Sequence, residues 1–530
     1  MMFNSSSTQR KSFTLLSVVF PVLAVILIAC GGGSSNNTAN NASKYSGNIS
    51  VGVDSDIVTL DPLKSTALVD RQVMLNIYDT LVRVDEHNAI LPDLATSWSY
   101  TSSDNTKLVF TLRTDVTFHD GTPFNADAVV FNINRILSAP SSPRSSELIT
   151  VQSVQAVDSS HVQFNLKKPF APLLANLTDR AGMILSPAAV QKIGTTNLGN
   201  APVNAGSGPF MFSEWVKGDH LTIKRNPHYW MKDNGGNALP YLQSIRYRPI
   251  SNESVMFSNL ETGNINAAEV LSPNDIPAAK SNSSLIYKQV PALSFFGVML
   301  NTKVAPLSNV HVRKAIEWGV NRDEIVNSVL KGVGVVAQGP ISPSSWAFSS
   351  SIAPYSYNIN NAKSELAQAG MSSVSFTLLI PSGSPLNSQE AQFIQSELQP
   401  AGITVNIKQE TFATLLSDTD SHNFQGALLG WSGRPDPDGN MYSWFHTGGG
   451  FNSMQYSNPQ VDSLLEAARA SSDQSTRTSD YQQAETLILQ DGSYVFINHG
   501  VSIQASTNNI KNFPLLPTGI LEFTNVYLGS

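Results

Sequence analysis

The sequence of 530 residues is notable first for what it lacks. It has a single cysteine, Cys30, so no disulfide can form within the chain and core burial must hold the fold together. Charged residues make up only 14% of the chain, the formal net charge is -7, and no basic run offsets it, which excludes nucleic-acid partners. The phosphate loop Gly-x4-Gly-Lys-Ser/Thr, the zinc motif His-Glu-x-x-His and the nucleophile turn Gly-x-Ser-x-Gly are all absent. The sequence therefore predicts no cofactor, no metal site and no catalytic residue.

The amino terminus has the features of an export signal. Arg10 and Lys11 precede an apolar stretch at 13–29, and Cys30 follows directly. An uncleaved membrane anchor is the alternative, but the stretch is short for a span of ~20 residues and Pro21 interrupts it. Leu-Ile-Ala-Cys at 27–30 resembles the bacterial lipobox, in which the cysteine is lipidated and becomes the new amino terminus. The Gly-, Ser- and Asn-rich segment after it predicts a flexible tether.

The region at 374–431 shows the clearest secondary-structure pattern. Strand-like runs at 375–380, 402–408 and 427–429 alternate with helical stretches at 388–398 and 412–417. This alternation predicts parallel βαβ units, in which ligands bind beyond the carboxyl ends of the strands. The loop that leaves the last strand, GWSGRPDPDG, carries an aromatic residue, a cation and two carboxylates, so we expect it to reach the ligand site.

Four segments together resemble the family of extracytoplasmic solute-binding proteins that serve peptide, nickel and related importers. They are WSYTSSDNTKLVFTLRTDVTFHDGTPFNADAVVFNINRIL (98–137), GSGPF with NPHYW (206–210 and 226–230), NVHVRKAIEWGVNRDEI (309–325) and GWSGRPDPDGNMYSWF (430–445). They occur in the family order and span nearly the whole chain after the signal. The combination of FTLRTDVTFHDGTPF with VRKAI downstream is specific, although each segment alone is a weak signal.

The resemblance implies an α/β, two-lobed fold like that of class II periplasmic binding proteins, with an extra subdomain in lobe one and a hinged ligand cleft. The implied organisation, in chain order, is a lipoprotein signal peptide at 1–30, a flexible tether at 31–45, lobe one at 46–294 with a subdomain at about 71–195, lobe two at 295–498, and a return to lobe one at 499–530. Such a protein acts outside the cytoplasmic membrane, here held by the lipid on Cys30 to the outer face of a bacterial cell membrane. It works as a monomer and hands a small polar solute to ABC permease subunits.

The resemblance also directs attention to residue 434. Peptide-binding relatives often carry an acidic residue three positions after the tryptophan of the last motif, where it holds the amino terminus of the peptide. This chain has Arg434 there. A guanidinium favours carboxylate or phosphate, so Arg434 either grips an acidic part of the ligand or pairs with Asp436 or Asp438. In the second case one aspartate remains to receive an amine, and a purely structural turn is a third interpretation.

The predicted ligand-binding residues come from both lobes. Lobe one contributes Thr66, which lies where the family has its first cleft loop. Lobe two contributes Phe295, at the crossing between lobes, together with Trp431, Gly433, Arg434, Asp436 and Asp438.

Three functions follow from these observations. The first is the solute-binding subunit of an ABC importer for dipeptides or oligopeptides. The second keeps the same fold but binds nickel or other metal chelates, opines or oligosaccharides. The third is a surface-anchored hydrolase, against which stands the absence of a nucleophile or metal motif.

Overall fold

The computed structural model describes residues 44–353 and 355–529. The predicted signal peptide, Cys30 and residues 31–43 of the predicted tether lie outside the described residues. Tyr45, which the sequence places in the tether, instead packs on the folded part: its ring lies 5.1 Å from that of Tyr241, and its hydroxyl donates to the Ala238 carbonyl at 2.8 Å. The folded part therefore already includes Tyr45.

Twenty-one strands and fourteen α-helices make up the described part of the chain. The strands are β1 (Asn48–Val53), β2 (Val82–Val84), β3 (Ile90–Pro92), β4 (Ala95–Tyr100), β5 (Lys107–Leu112), β6 (Val151–Asp158), β7 (His161–Leu166), β8 (Phe210–Val216), β9 (His220–Arg225), β10 (Ser244–Pro249), β11 (Ala267–Ala268), β12 (Leu285–Pro291), β13 (Phe295–Leu300), β14 (Val335–Val336), β15 (Val374–Pro381), β16 (Ile403–Glu410), β17 (Gly426–Trp431), β18 (Tyr494–His499), β19 (Val501–Thr507), β20 (Ile510–Lys511) and β21 (Tyr527–Leu528). The helices are α1 (Leu68–Ile77), α2 (Ala126–Leu137), α3 (Leu173–Asn176), α4 (Pro187–Ile193), α5 (Glu253–Glu261), α6 (Ile276–Ser281), α7 (Val310–Gly319), α8 (Arg322–Glu324), α9 (Ile359–Gln368), α10 (Pro385–Leu398), α11 (Phe412–Asp420), α12 (Asp438–Phe445), α13 (Pro459–Ala470) and α14 (Gln474–Asp491).

Three sheets organise these elements. We call lobe one the part built on the seven-stranded sheet, ordered β12-β19-β11-β1-β10-β9-β8. Lobe two is built on the six-stranded sheet, ordered β14-β18-β13-β17-β15-β16, and the subdomain is built on the four-stranded sheet, ordered β4-β5-β7-β6. Two-stranded sheets pair β2 with β3 and β20 with β21.

The subdomain illustrates how local sequence sets the packing. Leu108, Phe110 and Leu112 alternate along β5 and are all buried, as expected for a sheet with one covered face. Helix α2 covers that face with Val129 and Ile133, which belong to the same apolar cluster. The helix begins at Ala126 and is capped by Asn125, whose side chain accepts from the Ala128 N–H at 3.1 Å.

Lobe two confirms the predicted βαβ units. Strand β15 pairs in parallel with both β16 and β17, and α10 and α11 are the intervening helices. Strand β17 is buried on both faces: Leu429 and Trp431 point to one apolar cluster and Leu428 to the other. Because of this alternation, Trp431 ends the strand on the same face as Leu429.

The chain passes between the two large sheets at two adjacent places. Strand β12 of lobe one leads through 292–294 into β13 of lobe two, and β18 returns through Gly500 into β19. The two passages are joined, since the Ala292 N–H donates to the Gly500 carbonyl at 3.1 Å and a ring nitrogen of His499 lies 2.8 Å from the Ser294 carbonyl oxygen. Within the described residues, none of the helices combines the length and apolar character needed to cross a bilayer.

Candidate ligand-binding cleft

A cavity of about 960 Å³ lies between lobe one and lobe two. Lobe one supplies the loop after β1 at 54–58, the start of α1, and residues near 249–253 and 269–273. Lobe two supplies the start of β13, the end of β17 and residues near the amino ends of α10 and α11. Six aromatic side chains line the cavity, namely Phe295, Phe296, Phe412, Trp431, Trp444 and Phe451. Its volume is near the upper end of the usual range for ligand pockets, ~300–1,000 Å³.

Three of the predicted ligand-binding residues line this cavity. Thr66 does so from lobe one, and Phe295 and Trp431 do so from lobe two. Phe295 is fully buried, with its ring 5.2 Å from that of Trp444. Trp431 and Trp444 both line the cavity and lie edge to face, with their ring centres 5.5 Å apart. We call these two side chains the apolar wall of the cavity.

The remaining four predicted residues, Gly433, Arg434, Asp436 and Asp438, lie behind that wall and do not line the cavity. Arg434 forms an ion pair with Asp179 of the subdomain, with Nε 2.9 Å from Oδ2, and its guanidinium stacks 4.2 Å from the Trp431 ring centre. The predicted pairing of Arg434 with a neighbouring aspartate is therefore wrong. A segment distant in sequence provides the closer carboxylate.

Asp179 lies among four buried arginines. It also binds Arg71, with Nε 2.8 Å from Oδ2. Burial alone raises the pKa of Asp179, but the positive charges of Arg434, Arg71, Arg180 and Arg144 outweigh it and hold that pKa well below its usual range. Asp179 thus stays ionised and ties lobe two to the subdomain.

Both aspartates of the last motif have arginine partners of their own. Asp436 accepts from Arg477 at 2.6 Å, and Asp438 pairs with Arg469 at 2.9 Å. Burial raises the pKa of Asp438 to about 6, and the Arg469 charge opposes that shift. Arg469 also donates to the Ser146 carbonyl of the subdomain at 2.9 Å. In this structure neither aspartate is left free to receive an amine from the cavity.

Asn440 holds the loop after β17 in place, a role that the sequence does not predict although Asn440 lies within the segment 430–445. Its Oδ1 accepts from Trp431 Nε1 at 3.1 Å and from the Arg434 N–H at 2.9 Å, while Nδ2 donates to the Leu293 carbonyl at 3.3 Å. Gly433 makes the loop's close approach possible. It has φ +80°, and a Cβ there would lie 2.3 Å from the Leu293 oxygen.

Carboxylates in the cavity form a second group that the sequence does not predict. Glu269 accepts from the Asp54 N–H at 3.2 Å, and burial together with the Asp54 charge raises the pKa of Glu269 to about 8. Burial and the Glu253 charge likewise raise the pKa of Glu390 to about 8. No sequence motif predicts these residues, because they come from four separate segments that meet only in the folded protein.

The two lobes touch on both sides of the cavity. On one side the Ser384 hydroxyl of lobe two donates to Glu253 of lobe one. On the other side Arg434 and Arg469 of lobe two reach the subdomain. The cavity is therefore enclosed by contacts that would have to break for the lobes to separate.

Comparison with known proteins gives consistent results. The family model described as Bacterial extracellular solute-binding proteins, family 5 Middle, matches residues 89–452. The chain is 30% identical over 478 residues to a probable D,D-dipeptide-binding periplasmic protein, DdpA, of Escherichia coli (strain K12), which covers 88% of this chain and 91% of that protein. It is 28% identical over 546 residues to the oligopeptide-binding protein AppA of Bacillus subtilis (strain 168). That match covers 96% of this chain and 97% of AppA.

A solved structure matches over nearly the same extent. The periplasmic binding protein DppA from Helicobacter pylori, in complex with the peptide STSA, superposes with a TM-score of 0.85 at 27% sequence identity. The match covers 93% of this chain and all of that one. The two-lobed α/β architecture expected from the sequence is thereby confirmed.

Proposed function

This chain belongs to the bacterial extracellular solute-binding proteins of family 5, and on that premise we propose that it binds peptides in the cleft between its lobes. Members of the family capture a solute outside the cytoplasmic membrane for an ABC importer and its membrane permease. They bind rather than catalyse, which removes the surface-anchored hydrolase from the three candidate functions.

The observation that carries the peptide proposal is the cavity itself. It is large, at about 960 Å³, it is bounded by both lobes, and its lining mixes aromatic side chains with carboxylates. Such a lining suits a solute that has both apolar side chains and charged or polar groups. The names of the relatives DdpA, AppA and DppA point to the same class of ligand.

Within this proposal, Thr66, Phe295 and Trp431 contact the ligand. Gly433, Arg434, Asp436 and Asp438 act from behind the wall, where they fix the position of Trp431 and hold the lobes together. The hinge lies at 292–294 and Gly500, with lobe one at 46–294, lobe two at 295–498 and the return at 499–530. Two adjacent crossing strands support this assignment, because each can absorb part of a closing rotation.

The test is a binding screen on residues 44–530. Di- to pentapeptides, opines, oligosaccharides and a nickel–histidine chelate are each added, and thermal unfolding is followed. A ligand at a hundred times its Kd stabilises the folded state by about 2.7 kcal/mol, so peptides should raise the Tm. Stabilisation by a non-peptide solute alone would reject the peptide assignment.

A matched pair of variants locates the binding. Thr66→Trp places an indole in the cavity and should abolish the peptide-induced shift. Thr96→Trp puts the same side chain on an exposed position of β4 and should leave the shift unchanged. If Thr66→Trp binds peptides as the unchanged protein does, the ligand lies elsewhere. We also propose that the protein is a monomer, which light scattering of the unchanged protein tests.

We also propose that Cys30 carries a lipid that holds the protein at the outer face of the membrane. The support is the apolar stretch at 13–29 that ends in Leu-Ile-Ala-Cys. When the full chain is produced in a bacterium, it should partition into the detergent phase of a cloud-point extraction, and Cys30→Ala should move it to the aqueous phase. Aqueous partition of the unchanged chain would contradict the proposal.

A further inference from the structure

Both ends of the described chain meet at one edge of lobe one. Lys44 and Tyr45 at the amino end lie against Tyr241, and the carboxyl-terminal strand β21 brings Tyr527 to the same place. The Tyr241 and Tyr527 rings lie edge to face, with their centres 5.8 Å apart. The Tyr45 carbonyl accepts from the Gln243 side chain, so the first described residues are fixed on the fold.

Basic side chains at this edge are held in place by the tyrosine rings. The Lys44 ammonium lies 5.2 Å from the centre of the Tyr241 ring and 4.7 Å from that of the Tyr527 ring. The Arg225 guanidinium lies 4.7 Å from the centre of the Tyr45 ring. A cation is attracted to the face of an aromatic ring, so these contacts keep both charges in fixed positions.

Two further lysines belong to the same edge. Lys511 pairs with Tyr527 across β20 and β21. Lys232 forms a β-bridge with Ala238, whose carbonyl accepts from the Tyr45 hydroxyl at 2.8 Å. Lys232 is exposed and Lys511 is half-buried, so both ammonium groups can be reached from solvent.

The charge of this edge is opposite in sign to that of the whole chain, which is -7. We call the tether face the four basic and three aromatic side chains that form it: Lys44, Arg225, Lys232, Lys511, Tyr45, Tyr241 and Tyr527. Asp233, next to Lys232, is already engaged, since its Oδ2 accepts from the Tyr241 hydroxyl at 2.5 Å and from Asn237 Nδ2 at 3.0 Å. A local positive surface on an acidic protein indicates an anionic partner at that place.

The tether face is also the place from which the chain runs to its proposed lipid anchor. Thirteen residues, 31–43, separate Cys30 from Lys44. A Gly-, Ser- and Asn-rich chain of that length spans about 20 Å on average and about 45 Å when fully extended. A lipid on Cys30 therefore keeps this face close to the surface of the bilayer.

From this arrangement we infer that the tether face docks on anionic lipid headgroups at the outer face of the cell membrane. Lipid phosphates accept hydrogen bonds from ammonium and guanidinium groups, and each basic residue near an anionic surface strengthens binding by about fivefold. Tyrosine suits the same boundary, because its ring is apolar and its hydroxyl is polar. The inference rests on the lipid anchor proposed at Cys30 and adds a second, reversible contact with the membrane.

Docking by this face orients the ligand cleft. Strands β1 and β10 are parallel and begin at Asn48 and Ser244, directly after the residues that hold Tyr45. At their other end, Asp54 and Pro249 line the cavity. A strand of six residues is about 20 Å long. The docked protein therefore holds its cavity about 20 Å from the lipid surface, at the end of the sheet remote from the membrane.

Vesicle binding tests the inference without the lipid anchor. Residues 43–530 form one compact unit, and this fragment lacks Cys30. It is sedimented with vesicles of phosphatidylcholine alone or of equal parts phosphatidylcholine and phosphatidylglycerol. The fragment should bind the anionic vesicles at least about tenfold more tightly than the neutral ones, and high salt should remove the difference. Equal binding to both kinds of vesicle, or binding to neither, overturns the inference.

A triple variant assigns the binding to the tether face. Lys44→Gln, Lys232→Gln and Lys511→Gln together should weaken binding to the anionic vesicles at least about tenfold, because each lost charge is worth about fivefold. The triple variant should keep any ligand-induced shift in Tm, since none of the three lysines lines the cavity. Vesicle binding as strong as that of the unchanged fragment overturns the inference.

A second triple variant controls for net charge. Lys280→Gln, Lys288→Gln and Lys363→Gln change three exposed lysines on α6, β12 and α9. This control has the same net charge as the first triple variant and should bind the vesicles as the unchanged fragment does. An equal loss in both triple variants overturns the inference, because net charge alone then governs binding.

Energy transfer from the protein to a labelled lipid tests the orientation. The fragment contains no cysteine, so one introduced cysteine takes the donor dye. Asn234→Cys places the dye on the exposed turn after Lys232, and Val216→Cys places it at the cleft end of β8, next to the cavity-lining Lys217. With the acceptor in anionic vesicles, transfer should be higher from position 234. Equal transfer, or higher transfer from position 216, overturns the inferred orientation.

The full chain separates this inference from the lipid anchor. If the full chain enters the detergent phase of a cloud-point extraction but the fragment does not bind anionic vesicles, the anchor stands and docking by the tether face is overturned. If the fragment binds the vesicles but the full chain stays in the aqueous phase, the tether face is confirmed as a membrane-binding surface and the anchor fails.

Discussion

The guanidinium of Arg434 and the carboxylate of Asp179 form a buried ion pair between lobe two and the subdomain, with Nε 2.9 Å from Oδ2. Their side chains are 8% and 3% exposed. The family resemblance places position 434 at the ligand, yet here its side chain points away from the cavity and stacks behind Trp431. The residue thus joins two parts of the molecule that must move relative to each other when the cleft opens.

Breaking this ion pair should destabilise the protein. Removal of one partner of a buried pair leaves the other charge uncompensated and costs about 3–5 kcal/mol. Asp179→Ala should cost more than Arg434→Ala, because Asp179 also faces Arg71 and Arg180. Urea unfolding of the two single variants and the double variant gives the coupling energy, expected at about 0.5–3 kcal/mol. Strict additivity would show that the pair contributes nothing beyond its separate parts.

Arg434→Ala should also weaken ligand binding without changing its selectivity. Since Arg434 holds the lobes together and does not line the cavity, its loss should lower affinity for every solute by the same factor. Calorimetry with an acidic, a neutral and a basic peptide measures this. A loss restricted to the acidic peptide would show that Arg434 grips the ligand directly, as one of the sequence hypotheses holds. Arg434→Lys keeps the charge without the planar fork and serves as the control.

The ligand-free protein should become less stable between pH 5 and pH 8. An unfolded glutamate ionises near pH 4.3, whereas burial raises the pKa of Glu269 and of Glu390 to about 8 in the fold. Over that interval the folded state retains protons that the unfolded state has lost, so stability falls with rising pH by up to about 1.4 kcal/mol per unit and group. The depressed pKa of Asp179 acts only in more acidic solution.

Urea midpoints at successive pH values test this decline. Glu390→Gln should reduce the slope by about half, since an amide cannot ionise and Glu269 still titrates, while Glu261→Gln should leave the slope unchanged. If stability declines equally with pH in the unchanged protein and in both variants, ionisable groups other than Glu390 cause the decline.

Gly433→Ala should lower the Tm more than Gly448→Ala. Both glycines have positive φ, +80° and +77°, so each substitution carries the cost of a left-handed alanine, about 1–2 kcal/mol. Only at Gly433 does the new Cβ meet backbone, the Leu293 carbonyl oxygen; nothing lies within 4 Å at Gly448. The clash should add about 1–3 kcal/mol, and equal shifts would show that the loop moves away freely.

Much of the fold could be predicted because its signals are local. The strand-like apolar runs at 375–380 and 427–429 predict strands, and the structure has them as β15 and β17, parallel to each other. The cap at Asn125 is equally local, since it depends on residues three positions apart. The start of the folded part was placed too late, because Tyr45 has an unremarkable sequence context and finds its partner at Tyr241.

In the ligand site, too, the features set by local sequence could be predicted and those set by distant contacts could not. Trp431 directly follows the strand predicted at 427–429 and ends the observed β17, so its place at the carboxyl edge of the sheet, where it lines the cavity, could be expected from the sequence. The partners of Arg434, Asp436 and Asp438 could not be predicted in this way. Each neighbouring charge was a plausible partner in the linear sequence, and the fold supplied Asp179, Arg477 and Arg469 instead.

The sequence by itself thus determined the kind of protein: an extracytoplasmic solute-binding protein with a two-lobed α/β fold, in which the end of β17 reaches the ligand cavity. Apolar periodicity, turn residues and motif order carry that information over short stretches. Only the tertiary structure decided which charges meet. Coulomb attraction and desolvation depend on distance and burial, and these are fixed when segments such as 54–58, 253–269 and 385–398 come together across the cleft.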